Sequence, residues 1–119
     1  MVRNLRREGT EAEELAAGYL RSRGYAVIER NFHFGRKGEI DIIAREGGDL
    51  VFCEVKSRTN DAFGPPECAV TARKQQTIRR VARAYLYLRG IREQSCRFDV
   101  VTVLRRAGGP VMDLFKNAF

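Results

Sequence analysis

The stretch 36–58 constrains the fold of this chain most strongly, because two runs of alternating residues flank the pair Gly47–Gly48. Two-residue hairpin turns of the favoured hand require positive φ, which glycine adopts freely, so the pattern predicts a β-hairpin centred on these glycines. The predicted register places Asp41 opposite Glu54. A slip by one residue would move the apolar side chains to the other face, so the burial pattern itself supports this register.

The two faces of the predicted hairpin differ in chemistry, since strand side chains alternate between faces. The first face is entirely apolar and consists of Ile40, Ile42, Ala44, Val51, Cys53 and Val55. The second face carries Ile43, Leu50 and Phe52 near the turn, and Glu39, Asp41, Glu54 and Lys56 at the far end. Carboxylates that lie opposite one another in an antiparallel pair repel. Asp41 and Glu54 therefore need a proton, a basic side chain or a divalent cation beside them.

Two opposed carboxylates with a lysine nearby are typical of a magnesium-dependent phosphodiesterase. Mg²⁺ prefers oxygen ligands and is often held by one or two carboxylates. Here these would be Asp41 and Glu54, with the backbone carbonyl of Val55 as a further ligand. A metal so placed lowers the pKa of a bound water, and Lys56 would position that water or neutralise developing charge. The alternative is a salt-bridged strand pair, in which Glu39 binds Lys56, Asp41 binds Arg36 or Lys37, and Glu54 binds Lys74.

A capping box at Thr10 and Glu13 predicts a first helix that begins at Thr10 and ends before Gly24, after a flexible segment 1–9. Glu13 lies at the edge of the apolar stripe of this helix. It is therefore the acid of this helix that is placed to approach the sheet. Its carboxylate either caps the helix or joins the acidic cluster of the hairpin.

The remaining elements follow from alternation, helical spacing and turn residues. We expect an edge strand over 25–34, a basic turn over 35–38, a loop over 59–70 and a helix from Thr71 to about Arg89. A strand over 98–104 follows, and 111–115 is a last strand or an extended tail. The order predicts a single α/β domain, 1–119, with a mixed sheet flanked by helices. The strand that follows the second helix is expected to run parallel to the second hairpin strand.

The second helix is predicted to turn one face inward, through Ile78, Val81, Ala82, Tyr85, Leu86 and Leu88. Lys74 and Gln75 share this face in the first turns, and together with Glu39 they are candidates to support the acidic site. Basic residues elsewhere are candidates to contact nucleic acid: Arg36, Lys37, Arg58, Arg73, Arg80 and Arg83. A solvated outer face is the alternative for the helical arginines.

The charge of the chain favours a polyanionic partner, because 22 Lys and Arg against 15 Asp and Glu give a net charge of +7. A solubilising surface explains the charge equally well. Three dispersed cysteines predict reduced thiols, and a single histidine excludes a histidine-rich metal site. We expect a cytoplasmic protein, because neither a secretory signal nor an apolar run of about 18–20 residues is present.

The segments Gly38–Ala44 and Val51–Arg58 resemble the YraN-like family of small bacterial proteins. The similarity extends over Glu13–Ala16, Tyr19–Leu20, Gly24–Tyr25, Arg30–Phe32, Phe63–Gly64, Ala69–Val70, Lys74, Arg97–Val101 and Asn117–Phe119. That family is similar to the PD-(D/E)XK nucleases, which have a restriction-endonuclease-like fold, and among them to the archaeal Holliday junction resolvases.

This resemblance implies that Asp41, Glu54 and Lys56 form a nuclease triad and that Glu13 is the acid supplied by the first helix. Ile40 stands where the superfamily's name has proline. We therefore expect an endonuclease dependent on Mg²⁺ or Mn²⁺ that acts on DNA, with branched or damaged DNA as candidate substrates. The alternatives are a non-catalytic nucleic-acid-binding module and a protein-interaction scaffold. A homodimer would suit symmetric cutting of a junction.

Overall fold

A computed structural model describes residues 5–58 and 70–119. The alternating and helically spaced runs of the sequence form two helices and five strands. In chain order these are α1 (Leu5–Ser22), β1 (Ala26–His33), β2 (Glu39–Glu46), β3 (Asp49–Arg58), α2 (Ala72–Leu88), β4 (Cys96–Leu104) and β5 (Val111–Phe115). The strands make one sheet in the order β1-β2-β3-β4-β5.

The sheet is mixed, and its pairing agrees with the predicted arrangement. β1 and β2, β2 and β3, and β4 and β5 pair antiparallel, whereas β3 and β4 pair parallel. The parallel pair is joined through α2, as a parallel connection requires a crossover. β1 lies at one edge of the sheet, as predicted, and β5 lies at the other edge.

One helix covers each face of the sheet, so the apolar side chains form two clusters. The cluster on the α1 side joins Ala12, Ala16, Ala17 and Leu20 to Ile42, Ala44, Val51, Cys53, Val101 and Val103. The cluster on the α2 side joins Ile78, Val81, Ala82 and Tyr85 to Ile43, Leu50, Phe52 and Val100. The buried strands β2, β3 and β4 therefore form the centre of the molecule.

The predicted hairpin and its register are confirmed. Glu46 pairs with Asp49 at the turn, and the register continues to Ile42 opposite Cys53. Gly47 has a φ of 57°, a value that suits glycine in a two-residue turn. This pairing fixes which residues of β2 and β3 meet at the end of the hairpin away from the turn.

The start of the first helix differs from the prediction. α1 begins at Leu5, so Thr10 lies inside the helix, Glu13 does not cap it, and residues 5–9 belong to the helix. Leucine, arginine and glutamate in this stretch have good helix propensity, which extends the helix to the N-terminal side of the predicted cap at Thr10. Residues 1–4 and most of the predicted loop, 59–69, lie outside the described residues.

The second helix follows the prediction at its start and differs at its end. Thr71 caps it by accepting a hydrogen bond from the Lys74 N–H at 3.1 Å. Leu88 was expected to face inward but is 54% exposed. The Arg89 guanidinium instead covers the ring of Tyr85 at 5.1 Å, and it binds Glu29 of β1 at 2.7 Å. No helix among the described residues is long and apolar enough to cross a membrane.

Candidate functional site

Asp41 and Glu54 lie together at the end of the hairpin away from its turn, and both are buried, with 8% and 6% of their surface exposed. The Val55 N–H donates a hydrogen bond to Asp41 Oδ2 at 2.9 Å. Glu54 Oε1 lies 4.0 Å from Lys56 Nζ and 3.9 Å from Lys74 Nζ. The structure thus brings together the two predicted carboxylates and both lysines that the sequence placed on this face.

The environment of the two carboxylates favours their neutral forms. Burial, and secondly the charge of Glu54, raises the pKa of Asp41 to about 8, against the hydrogen bond from Val55. Burial also raises the pKa of Glu54, although Lys74 and Lys56 oppose this shift. Desolvation disfavours the charged form of a carboxylate, and a second carboxylate adds to the cost. Burial is therefore the main reason that protonation of the two acids is favoured, and the two lysines oppose it at Glu54.

A third and a fourth acid lie beside Asp41. The carboxylate oxygens of Glu13, Glu39 and Asp41 lie within 4.8 Å of one another. Glu13 comes from α1, so the helical acid does approach the sheet, and Glu39 begins β2. Sequence reasoning gave Glu39 only a supporting position, whereas the structure places its carboxylate at the distance expected of a shared cation ligand.

The strand alternation reverses beside Asp41, which explains how an acid of β2 meets an acid of α1. Arg30 and Ile42 pair, as do Phe32 and Ile40, so Asn31 lies opposite Asp41. Ile42 packs in the α1 cluster, but Phe32 and Ile40 pack in the α2 cluster. The predicted position of Ile40 on the face of Ile42 is therefore wrong.

Asn31 lies opposite the reversal, and its φ of 55° falls in the left-handed region. Asparagine is among the few residues that adopt this conformation at low cost. In the amide orientation that satisfies its hydrogen bonds, Asn31 Nδ2 donates to both oxygens of Glu13, at 2.9 and 3.1 Å. Asn31 thus holds the acid of α1 beside Asp41.

Sequence reasoning missed three residues of this site, all on β1. Asn31 is the first, and an asparagine within a β-strand pattern is the signal that could have indicated it. Arg30 binds Glu14 and lies 4.0 Å from Glu13, and His33 Nε2 lies 2.9 Å from Glu39 Oε2. Their roles depend on the pairing of β1 with β2, which the sequence pattern did not specify residue by residue.

The alternative salt-bridge network forms only in part. Glu54 does lie next to Lys74, but Glu39 binds His33 in place of Lys56. Asp41 accepts the Val55 N–H, and within 5–58 and 70–119 neither Arg36 nor Lys37 forms an ion pair with it. Of the two buried acids, only Glu54 therefore lies next to its predicted cation, and Asp41 does not.

The other candidate residues lie around the site or away from it. Gln75 Nε2 donates to the Val70 carbonyl at 3.0 Å, so its side chain secures the start of α2. Val55 is half-buried in β3, and its carbonyl as a metal ligand stays a prediction. Arg58 is half-buried at the end of β3, and the exposed candidates for nucleic-acid contact are Arg36, Lys37, Arg73, Arg80 and Arg83.

The donor set fits a hard divalent cation. Oxygen atoms of Glu13, Glu39 and Asp41 already converge, and Glu54 adds another carboxylate next to Asp41. Mg²⁺ and Mn²⁺ prefer such oxygen ligands. A bound cation would favour the charged forms of Asp41 and Glu54 and so oppose the burial that raises their pKa values.

The protein is a small α/β protein with a five-stranded mixed sheet and a helix on each face. Its central hairpin carries buried acids and a lysine at the end away from the turn. The model of the uncharacterised protein family UPF0102 matches residues 12–103. The chain belongs to this family, which confirms the YraN-like resemblance.

Its relatives match over nearly their whole length. A UPF0102 protein of Syntrophus aciditrophicus is 44% identical over 119 residues, covering 100% of this chain and 92% of the relative. One of Lachnoclostridium phytofermentans is 47% identical over 117 residues, covering 98% and 95%. One of Moorella thermoacetica is 45% identical over 123 residues, covering 100% of both.

Proposed function

We propose that this protein is a divalent-metal-dependent endonuclease with a restriction-endonuclease-like fold, which hydrolyses phosphodiester bonds in DNA. The observation that carries the proposal is the buried pair Asp41 and Glu54, whose pKa values are both raised, with Lys56 on the same strand as Glu54. Burying adjacent carboxylates lowers stability unless their charges are fully compensated, and Asp41 has no cation within ion-pair distance among the described residues. A bound cation would compensate the charge of both carboxylates.

The acids of the site would hold Mg²⁺ or Mn²⁺. Asp41, Glu54 and Glu13 are the carboxylate ligands we propose, with the Val55 carbonyl as a backbone ligand. A bound cation would lower the pKa of a water molecule and stabilise charge on the phosphate. The Asn31 amide holds Glu13 in place. Glu39, fixed by His33, either joins the ligands or orients them.

Lys56 has the second role in the proposed reaction. Its ammonium group lies 4.0 Å from Glu54 Oε1 and is about one-third exposed, at 33%, so it can reach both the ligands and a substrate. A cation so placed can orient the attacking water and offset the charge that develops on the phosphate in the transition state. Lys74 approaches Glu54 from α2 and supports the same electrostatic balance.

A nucleic-acid substrate fits the charge of the molecule. The net charge is +7, and α2 begins beside Glu54 and carries the exposed residues Arg73, Arg80 and Arg83. Arginines along one exposed helix are suited to contact successive phosphates. The exposed face of α2 would thus guide a DNA backbone toward the acids.

The proposal is tested with a metal titration against linear, nicked, flapped and four-way DNA. We expect Mg²⁺ or Mn²⁺ to support nicking and EDTA to abolish it. Asp41→Asn should lower the nicking rate by about 100-fold or more, because it removes a charged ligand. The matched control is Asp113→Asn, which changes an exposed aspartate of β5 and should nick like the wild type.

Equal nicking by the wild type and Asp41→Asn would contradict an activity of this site and point to a contaminating nuclease. Lys56→Ala separates ligand loss from loss of the lysine, since it should abolish nicking with the acids intact. Salt-dependent binding without cleavage, across all metals and DNA structures, would favour the non-catalytic nucleic-acid-binding module.

A further inference from the structure

The turn between β1 and β2 exposes an aromatic ring next to two cations. We call residues 34–38, which connect β1 to β2, the hairpin tip. It is distinct from the Gly47–Gly48 turn that connects β2 to β3. Phe34 is 36% exposed and packs in neither apolar cluster of the described residues. Arg36 and Lys37 are both exposed. The tip thus combines the two groups that bind single-stranded nucleic acid, an aromatic face for a base and cations for phosphate.

The hairpin tip is held in one conformation by its own backbone and by α2. The Phe34 N–H donates to the Gly38 carbonyl at 3.1 Å, and the Lys37 N–H donates to the Phe34 carbonyl at 2.9 Å. Gly38 has a φ of 148°, and its backbone lies so close to α2 that an added Cβ would be 2.6 Å from Thr77 Cγ2. A ring presented on a fixed turn loses little entropy when it binds.

The hairpin tip adjoins the acidic site through both chain segments that hold it. Glu39 follows Gly38 directly and shares the acidic cluster with Asp41. Thr77, which contacts the tip, lies one helical turn after Lys74, whose ammonium group is 3.9 Å from Glu54. A base held at the tip would therefore belong to a nucleotide close to the scissile phosphate.

From this geometry we infer that the hairpin tip binds an unpaired base beside the site, which makes single-stranded segments and branch points the preferred substrates. This inference rests on the proposed function. Phe34 stacks on the base, and Arg36 and Lys37 contact the flanking phosphates. Within a blunt duplex both faces of each internal base are covered by its neighbours, so the ring finds a free face only where strands separate.

Nucleic acid explains the tip better than a protein partner does. The ring lies within a short segment that has two adjacent cations, on a molecule with a net charge of +7. An apolar protein surface would have to desolvate those cations, whereas a phosphate backbone pairs with them.

The chain has no tryptophan, so Phe34→Trp introduces a single fluorophore at the tip. We would titrate this variant, in EDTA and in an Asp41→Asn background, with an oligothymidine of about 12 nucleotides, a flapped duplex and a blunt duplex. Stacking on a base quenches the fluorescence of tryptophan. We expect quenching by the oligothymidine and the flapped duplex, and little change with the blunt duplex.

Two variants complete the experiment. Tyr87→Trp places the fluorophore at a residue that is 86% exposed near the other end of α2, and its emission should not respond to the oligothymidine. Phe34→Ala should weaken binding of the oligothymidine by about 10-fold, while its affinity for blunt duplex should stay within about twofold. Circular dichroism would verify that each variant is folded.

Equal quenching by blunt duplex would overturn the preference for unpaired bases. Binding of the oligothymidine without quenching of Phe34→Trp, and without weakening by Phe34→Ala, would overturn the role of the tip. Either result leaves the proposed endonuclease standing, because nicking is measured separately. Absence of binding to any of the three probes would overturn both the role of the tip and the DNA substrate.

Discussion

Asp41 illustrates at the scale of one residue how a buried carboxylate at the proposed site costs stability. Burial and the charge of Glu54 raise the pKa of Asp41 from 3.8 to about 8. Between these values the folded protein binds more protons than the unfolded chain. The contribution of Asp41 to the free energy of unfolding therefore decreases as the pH rises through this window.

Asp41→Asn is therefore expected to stabilise the metal-free protein at about pH 8, by roughly 1–3 kcal/mol, and to have little effect at about pH 4. The amide oxygen of asparagine can still accept the hydrogen bond from the Val55 N–H. Urea denaturation in EDTA across this pH range measures the difference between variant and wild type.

Asp113→Asn provides the comparison, since Asp113 is exposed on β5 and its replacement should shift stability little at any pH. A difference between wild type and Asp41→Asn that does not change with pH would contradict the raised pKa. If both predictions hold, Asp41→Asn gains stability in the absence of metal and loses nicking activity. This trade-off is expected of a residue that serves function at the expense of stability.

At the scale of the element, the β1–β2 turn shows how closely the strands approach α2. Gly38 lies where a φ of 148° and the neighbouring Thr77 methyl both exclude a side chain. The Thr77 hydroxyl donates to the Arg73 carbonyl at 3.2 Å, which holds the methyl group in place. The tight contact positions the turn, and with it the start of β2 at Glu39.

Gly38→Ala should lower the free energy of unfolding by about 1–3 kcal/mol, because it adds backbone strain and a steric clash. Thermal denaturation would measure the loss. Gly48→Ala is the matched control, since nothing lies within 4 Å of a Cβ added at Gly48. It should change stability by less than about 1 kcal/mol. Equal losses in the two variants would argue against the contact with α2.

The elements themselves follow well from the sequence, because period and turn residues set most of them locally. The Gly47–Gly48 turn and the apolar alternation were enough to predict the register that brings Asp41 to Glu54. The helical spacing of α1 was enough to direct Glu13 toward the sheet. In both cases the information lies within about twenty residues and depends on a regular period.

The remaining features depend on irregular backbone or on pairing between distant segments. The reversal beside Asp41 breaks the period on which strand prediction relies, so regular alternation placed Ile40 on the wrong face. The partner of Glu39 is His33, and this contact is set by the pairing of β1 with β2. Similarly, Arg89 covers the end of the α2 cluster in place of Leu88, because its guanidinium binds Glu29 of β1.

At the scale of the whole molecule, a second charge cluster, partly buried around the fully buried Asp99, lies toward the turn end of the hairpin. Arg97 binds Asp99 at 2.9 Å, Glu46 at 2.8 Å and Asp49 at 3.0 Å. Asp99 is fully buried and also accepts hydrogen bonds from the Tyr25 hydroxyl and the Asn117 N–H, each at 2.9 Å. These contacts join β2, β3, β4 and the segment after β5.

The two clusters differ in how their charges are balanced. Around Arg97 each acid has a direct partner, and hydrogen bonding to Asp99 raises the pKa of the Arg97 guanidinium. Around Asp41 burial raises the pKa values of both acids, and Lys74 and Lys56 offset this only in part and only at Glu54. A buried network in which every polar group has a partner makes the fold more rigid. Buried acids with raised pKa values and too few partners are expected instead at a functional site. The chain thus separates its stabilising ion cluster from its proposed site.

Arg97→Met should accordingly destabilise the fold by about 3–5 kcal/mol, because it leaves Asp99 buried without its cation. Equilibrium denaturation in urea would measure this loss. Arg105→Met tests a surface ion pair for comparison, since Arg105 lies 3.8 Å from Glu11, which is 49% exposed. Its replacement should cost no more than about 1 kcal/mol.

Similar losses in the two variants would contradict the distinction between a buried network and a surface pair. A neutral Arg97→Met would be more informative still. Asp99 has no exposed surface, so it would then have to be stabilised by Tyr25 and Asn117 alone. Combining Arg97→Met with Asp99→Asn decides between these cases, because removing the buried charge should recover much of the stability only if Arg97 is its essential partner.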